Sequence, residues 1–205
     1  MLDERPAITE ITRKGFQRAG IDMLLHLAEG IDYIIDLETT GLDVLKDEAI
    51  QISVLQFSTT RILCNEHFLP SVPISKGAFR VHGKDENWLL ENKAVKFEDA
   101  YKGIAISLQG KVLAGYNVAF DACILDNMCT RRGLEPFKVG VWIDLMPAMT
   151  LIHGRWSSYR KGFAWPKLSE FNIKKRDMHD AVSDCLVLCD YVHHIQKKVG
   201  KYSDD

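Results

Sequence analysis

The chain has 205 residues, 46% of them hydrophobic, and a formal net charge of −2. That length supports one good core, and the near balance of charge excludes a protein that holds nucleic acid by net positive charge alone. No apolar run approaches a membrane span, and the opening residues Met1 to Pro6 lack the basic-then-apolar order of a signal peptide, so a cytoplasmic protein with no membrane partner is expected. In chain order, Ile8, Ile11, Ile21, Leu24, Leu25 and Leu27 recur among charges and predict an amphipathic helix. This helical extension, residues 1–30, either packs on the chain's own core, the favoured reading, or docks a partner. The main domain then covers residues 31–200. Strands are expected over 31–37, 49–58 and 61–69, the last two joined by a tight turn at 58–61. Helices follow over 75–81, 86–91 and 97–109, then a strand over 111–115, a helix over 118–132 and a strand over 141–144. Further helices begin at Leu145, Lys167 and Asp180. Three consecutive strands followed by alternating helix and strand indicate an α/β domain, with a mixed five-stranded sheet flanked by helices.

The most informative segment is Asp36-Leu37-Glu38-Thr39-Thr40-Gly41, placed directly after the apolar, β-branched run 31–35. Residues two apart on a strand share a face, so Asp36 and Glu38 present paired carboxylates at a strand end. Like charges this close are unfavourable unless a cation lies between them, and hard divalent cations take oxygen ligands. A second segment, Asn117-Val118-Ala119-Phe120-Asp121, follows the short strand at 111–115 and adds a carboxylate, an amide and an aromatic ring. A third, His179 to Asp184, opens the last helix. Asp180 is its expected N-cap, Asp184 sits in its first turn, and His179 lies in the loop before it. Four acidic residues and one imidazole on strand ends and helix starts make a metal-site constellation.

These three motifs, in this order and at these gaps, resemble those of the DEDD superfamily of 3′-to-5′ exonucleases, histidine subtype. The closest likeness is to the proofreading epsilon subunit of bacterial DNA polymerase III and its stand-alone relatives. The segment Val81-His82-Gly83 also resembles one found between the first two motifs of epsilon-like proteins. The resemblance covers residues 31–192 and implies an RNase H-like fold. It implies two divalent cations, Mg²⁺ or Mn²⁺, that clamp the attacking and leaving oxygens of phosphodiester hydrolysis. By that analogy Asp36 bridges both ions, Glu38 and Asp184 complete the first site, and Asp121 holds the second ion through water. His179 would be the general base, since imidazole as a class titrates near neutrality. A tyrosine there would mark the sister subtype. The backbone around Thr39 and Thr40 would receive the 3′-terminal hydroxyl, and Leu42 would wedge the terminal base. Asn117 and Phe120 would hydrogen-bond and stack on the terminal nucleotides, with plain core packing an equal alternative for Phe120. Relatives often carry His where this chain has Tyr116.

The expected activity is release of nucleoside 5′-monophosphates from the 3′ ends of DNA, with single-stranded DNA the expected substrate and a DNA polymerase a candidate partner. Two alternatives stay open: a 3′-to-5′ exoribonuclease of the same fold, and an inactive module that only binds nucleic acid or a polymerase. The chain ends at Tyr202 to Asp205, soon after its last predicted helix, whereas the epsilon subunit continues into a polymerase-reaching tail, so partnership stays open. Residues 153–166 interleave basic and aromatic side chains without periodicity, which suits either a loop that grips single strands or an ordinary surface loop. With Lys174, Lys175 and Arg176 they could form a basic rim. Five cysteines without C-x-x-C spacing, including Cys123, Cys129, Cys185 and Cys189, read as small core residues rather than zinc ligands. His193 and His194 read as a helix surface near a C-terminus.

Overall fold

The computed structural model describes residues 9–200. The expectations for Met1 to Pro6, for Ile8 and for Tyr202 to Asp205 fall outside them. The first element is α1 (Glu10–Ala28), capped by the Thr9 hydroxyl, which accepts from the Thr12 N–H. Three strands follow, β1 (Tyr33–Thr39), β2 (Ala49–Gln56) and β3 (Ile62–His67). Then come α2 (Lys76–His82), α3 (Glu86–Glu91), α4 (Phe97–Leu108), β4 (Val112–Gly115), α5 (Val118–Arg131), β5 (Val141–Asp144) and α6 (Met146–His153). A small hairpin, β6 (Trp156–Ser157) and β7 (Gly162–Phe163), precedes a 3-10 turn at Leu168–Phe171 and the long closing helix α7 (Ala181–Gly200). The five-stranded sheet has the order β3-β2-β1-β4-β5. Strands β1, β2 and β3 form an antiparallel meander, and β1, β4 and β5 run parallel. This is the mixed α/β sheet of the RNase H-like fold.

Alternation along β1 divides the molecule into two cores. Ile35 and Leu37, with Ile52 and Val54 of β2, point to the face covered by α4 and α5. Ile34, with Leu55 of β2, points to the opposite face, where Leu24 and Ala28 of α1, Ala148 and Met149 of α6, and Cys185, Leu188, Cys189 and Val192 of α7 close the core. Asp36 and Glu38 share the parity of Ile34 and therefore lie on the α7 face, opposite Ser53 and Gln51 respectively.

The N-terminal helix packs on the chain's own core. A Cβ on Gly20 would lie 2.8 Å from the Ala148 carbonyl oxygen and from the Ile152 nitrogen, so glycine allows α1 and α6 to touch backbone to backbone. Leu24 is fully buried there.

Five expectations need correction. The first strand is displaced two residues towards the C-terminus, so both acidic residues lie within it rather than at and beyond its end. The aperiodic segment after α6 contains a hairpin, because the strands are two residues each and too short to show alternation. The helix expected from Lys167 is a single 3-10 turn. Cys123 is exposed, while Cys129, Cys185 and Cys189 are buried as expected. The buried face of α5 runs through Val118, Asp121, Ile124, Leu125 and Met128, which turns Cys123 outward. His193 is also more than a surface residue: its ring packs 4.7 Å from that of Phe57.

Candidate active site

The fold brings the three motifs to the carboxyl ends of the parallel strands, the usual place for a site in such a sheet. Asp36 and Glu38 come from β1. Asp184 descends from the first turn of α7, and Asp121 from the first turn of α5. Carboxylate oxygens of Asp36, Glu38 and Asp184 lie within 4.8 Å of one another, a spacing that suits a single cation. Asp121 stands outside that triplet yet is close enough to Asp36 to raise its proton affinity. Glu38 and Asp121 are buried.

Electrostatics follow from burying four like charges. Burial pushes Asp36 well above the carboxylate range, and Asp121, Asp184 and Glu38 add to it. Burial raises Glu38 to about 7, opposed by the Lys84 ammonium. Asp121 rises to about 8, again chiefly through burial, against hydrogen bonds from the backbone. Burial raises Asp184 as well, while the His179 N–H, donating to it at 3.2 Å, acts in the other direction. A pocket of hard oxygen donors that resist ionisation by themselves is one that a divalent cation would relieve. The donor set therefore fits Mg²⁺ or Mn²⁺.

His179 is exposed, in the left-handed region (φ 68°) just before α7. Asp180 behaves as the expected cap: its carboxylate accepts from the Val182 N–H at 3.2 Å. Its other oxygen accepts from the Gln51 amide at 3.1 Å and lies 3.4 Å from the Lys84 ammonium. Lys84 is a buried lysine, 4% exposed, whose Nζ also reaches the His179 carbonyl at 3.4 Å. Its own backbone N–H donates to His82 Nδ1 at 3.0 Å, so His82 carries its proton on Nε2 and donates to the Thr39 carbonyl at 3.2 Å. A chain of contacts thus runs from the end of β1 through His82 and Lys84 to the His179 loop. Sequence reasoning missed Lys84 and Gln51. Gln51 was recoverable in part, since its parity on β2 places it across from Glu38; nothing in the local pattern marks Lys84.

A cleft of about 390 Å³ adjoins the carboxylates, lined by Glu38, Thr39, Leu42, Val81, His82 and Phe120, among others. Leu42 is 86% exposed at its rim. Phe120 lines the cleft and also packs, partly buried, against the core. Thr40 is fully buried; its N–H donates to the Glu48 carbonyl and its hydroxyl to Asp47 Oδ1, which leaves it holding the loop. Asn117 is exposed in the left-handed region (φ 61°), with its N–H donating to Asp144 at 2.9 Å. That turn aims the first turn of α5, and with it Asp121, at β1. Glu48 clamps the loop after β1: although buried, it accepts from Arg132 at 2.9 Å and from Ser71, and together these outweigh burial and keep it below its ordinary value.

Residues 33–192 match the RNase_T family, described as exonuclease. The chain is 23% identical over 178 residues to the PolC-type DNA polymerase III of Lacticaseibacillus paracasei, covering 85% of this chain and 12% of that protein. It is 30% identical over 108 residues to the corresponding protein of Caldanaerobacter subterraneus, covering 52% of this chain and 8% of that one. The chain thus spans about a tenth of the length of these relatives. Among solved structures, E. coli exonuclease I in complex with a dT13 oligonucleotide superposes with a TM-score of 0.66 at 17% identity, covering 84% of this chain and 42% of that one. The nuclease domain of 3′hExo, described as a DEDDh family member bound to rAMP, gives 0.58 at 17% identity, covering 82% and 93%.

Proposed function

Since the chain belongs to the RNase_T exonuclease family, we propose that it is a 3′-to-5′ exonuclease of the DEDD type, which hydrolyses single-stranded DNA from the 3′ end and releases nucleoside 5′-monophosphates. The observation that carries this reading is the convergence of Asp36, Glu38 and Asp184 within 4.8 Å, beside a cleft and an exposed histidine. Asp36, Glu38 and Asp184 would hold one divalent cation, and Asp36 with Asp121 a second. Bound there, the pair of ions supplies activation of water and stabilisation of the leaving oxygen.

The chain's own residues do the rest. The cleft of Thr39, Leu42 and Phe120 seats the terminal nucleotide, with the Phe120 ring and the exposed Leu42 side chain as contacts that suit any base. Asn117, exposed at the start of α5, is available to hydrogen-bond the terminal nucleotides. His179, exposed at the mouth of the site, takes the proton from the attacking water, which makes the enzyme a member of the histidine subtype. His82 fixes the Thr39 carbonyl near the expected place of the terminal hydroxyl, while Thr40 contributes through the loop it holds in shape. We also assign α1 (Glu10–Ala28), the described part of the extension expected over residues 1–30, as a helical cap on an exonuclease domain over 31–200. The start of the family match at residue 33 supports that boundary, and the burial of Leu24 supports the capping role.

An exoribonuclease is the second reading, favoured by the likeness in fold to a nuclease domain bound to rAMP. Matched DNA and RNA single strands, labelled at the 5′ end and incubated with Mg²⁺ or Mn²⁺, separate the two. A ladder should recede from the 3′ end, faster on DNA. A faster RNA ladder transfers the assignment to RNA, and no ladder on either polymer leaves a binding module. No helix among the described residues is long and apolar enough to cross a membrane.

A further inference from the structure

The hairpin β6–β7 and its flanks are not used by the chemistry described above. Residues 154–167 hold Arg155, Arg160, Lys161 and Lys167 and no acidic residue, in a chain whose net charge is −2. Phe163 anchors the hairpin to α1. Phe163 stands edge-on to Phe16 of α1 at 5.0 Å and to Trp156 at 5.4 Å, and the Ala164 N–H donates to the Arg155 carbonyl at 2.8 Å. Those contacts account for the fold of the hairpin and leave its other aromatic rings unused. Tyr159 is 94% exposed and Trp165 64%. The Arg160 guanidinium lies 5.6 Å from the centre of the Trp165 ring. Among the described residues, Lys161 and Lys175 make no ion pair, whereas Arg155 is paired with Glu170, and Lys174 and Arg176 with Asp190.

The position of this face also matters. The Tyr116 hydroxyl donates to the Pro166 carbonyl, which ties the residue after Trp165 to the residue before Asn117. The same connection between α6 and α7 then continues through the 3-10 turn to His179. The aromatic and cationic face is thereby attached at one end to the second motif and leads at the other to the third.

Exposed indole, phenol and guanidinium planes beside free ammonium groups match one ligand chemistry: unstacked bases on a phosphate backbone. We propose that the β6–β7 face, through Tyr159, Arg160, Lys161 and Trp165, is a single-strand binding surface that holds the substrate beyond the nucleotides seated in the cleft. This rests on the nucleic-acid substrate class of the proposed function, not on turnover. Stacking supplies affinity for any base, and Lys161 neutralises a phosphate. The surface makes the enzyme prefer long single strands to short ones.

The test is fluorescence anisotropy with the full chain carrying Asp184→Asn, which keeps the oligonucleotide intact, using labelled dT16 and dT3. Adding Tyr159→Ala, Arg160→Ala and Trp165→Ala should weaken dT16 binding by about 10- to 100-fold, the effect of losing one or two stacked bases. Binding of dT3, confined to the cleft, should be unchanged, and the melting temperature should hold because Phe163 remains. Lys161→Ala alone should lower the slope of log affinity against log salt by about one unit. Unchanged dT16 affinity in the triple variant, with the fold retained, overturns the proposal and leaves the face to a protein partner. Failure of the exonuclease reading would show differently, as wild-type chain that binds dT16 without shortening it.

Discussion

Single residues carry the chemistry, and most were legible because their types and spacing are constrained. Two carboxylates two apart on a strand are a weak signal alone and became legible through the two motifs that follow them, and the structure brings Asp184 within 4.8 Å of the pair. Lys84 was not legible, since its value comes from burial between His82, Asp180 and the His179 carbonyl, partners up to 96 residues away. His179→Ala should slow hydrolysis by about 10²–10⁴-fold with binding little changed, the usual contribution of a general base; single-turnover rates on a 5′-labelled strand measure it. The acidic cluster also makes a prediction about pH. Glu38 ordinarily titrates at 4.5 and here at about 7, and Asp121 ordinarily at 3.8 and here at about 8. Between those limits the folded chain binds more protons than the unfolded one, so its stability without metal falls as pH rises from about 4 to about 8. Melting curves in EDTA should show that fall. Asp121→Asn should raise the melting temperature at pH 8 and leave it nearly unchanged at pH 4. Added Mn²⁺ should stabilise the wild type more at pH 8 than at pH 5, because the ion must displace the protons.

Secondary elements position these residues, and here the sequence was readable wherever periodicity had room to show. The meander, α4, α5 and α7 all carry enough turns or alternations to identify themselves. The β6–β7 hairpin and the 3-10 turn at Leu168–Phe171 do not, because two-residue strands and a single 3-10 turn hold little more than one period, too little for a repeat to show. Their existence depends on tertiary contacts such as Phe163 with Phe16. The N-terminal helix belongs to the same core, so Leu24→Ala, at a fully buried site, should cost about 2–5 kcal/mol in denaturant unfolding. A change below about 0.5 kcal/mol, the range of surface substitutions, would mean that α1 is a detachable arm. The link between α2 and the His179 loop is tested by Lys84→Met, which keeps the apolar stem and removes the ammonium. Loss of the contacts to His179 and Asp180 should lower kcat by about 10–100-fold through misplacement of the base, with KM nearly unchanged. A raised KM at constant kcat would instead place Lys84 on the substrate.

At the scale of the whole molecule, a mixed sheet with helices on both faces delivers three motifs, separated by up to 148 positions between Asp36 and Asp184, to the ends of the parallel strands β1 and β4. With a near-neutral net charge, the proposed substrate strand would be held locally, by the cleft, the cations and the basic hairpin, rather than by a field over the whole surface. The central claim is that the acidic cluster holds the divalent cations on which 3′-end hydrolysis depends. The most direct measurement is the rate of shortening of a 5′-labelled single strand as Mn²⁺ is titrated from an EDTA-treated start, for the wild type and for Asp36→Asn and Asp184→Asn. Turnover should be absent in EDTA and rise saturably with Mn²⁺, products should recede one nucleotide at a time from the 3′ end, and neither folded variant should turn over. Hydrolysis that persists in EDTA, or an Asp184→Asn protein as fast as the wild type, would contradict that claim.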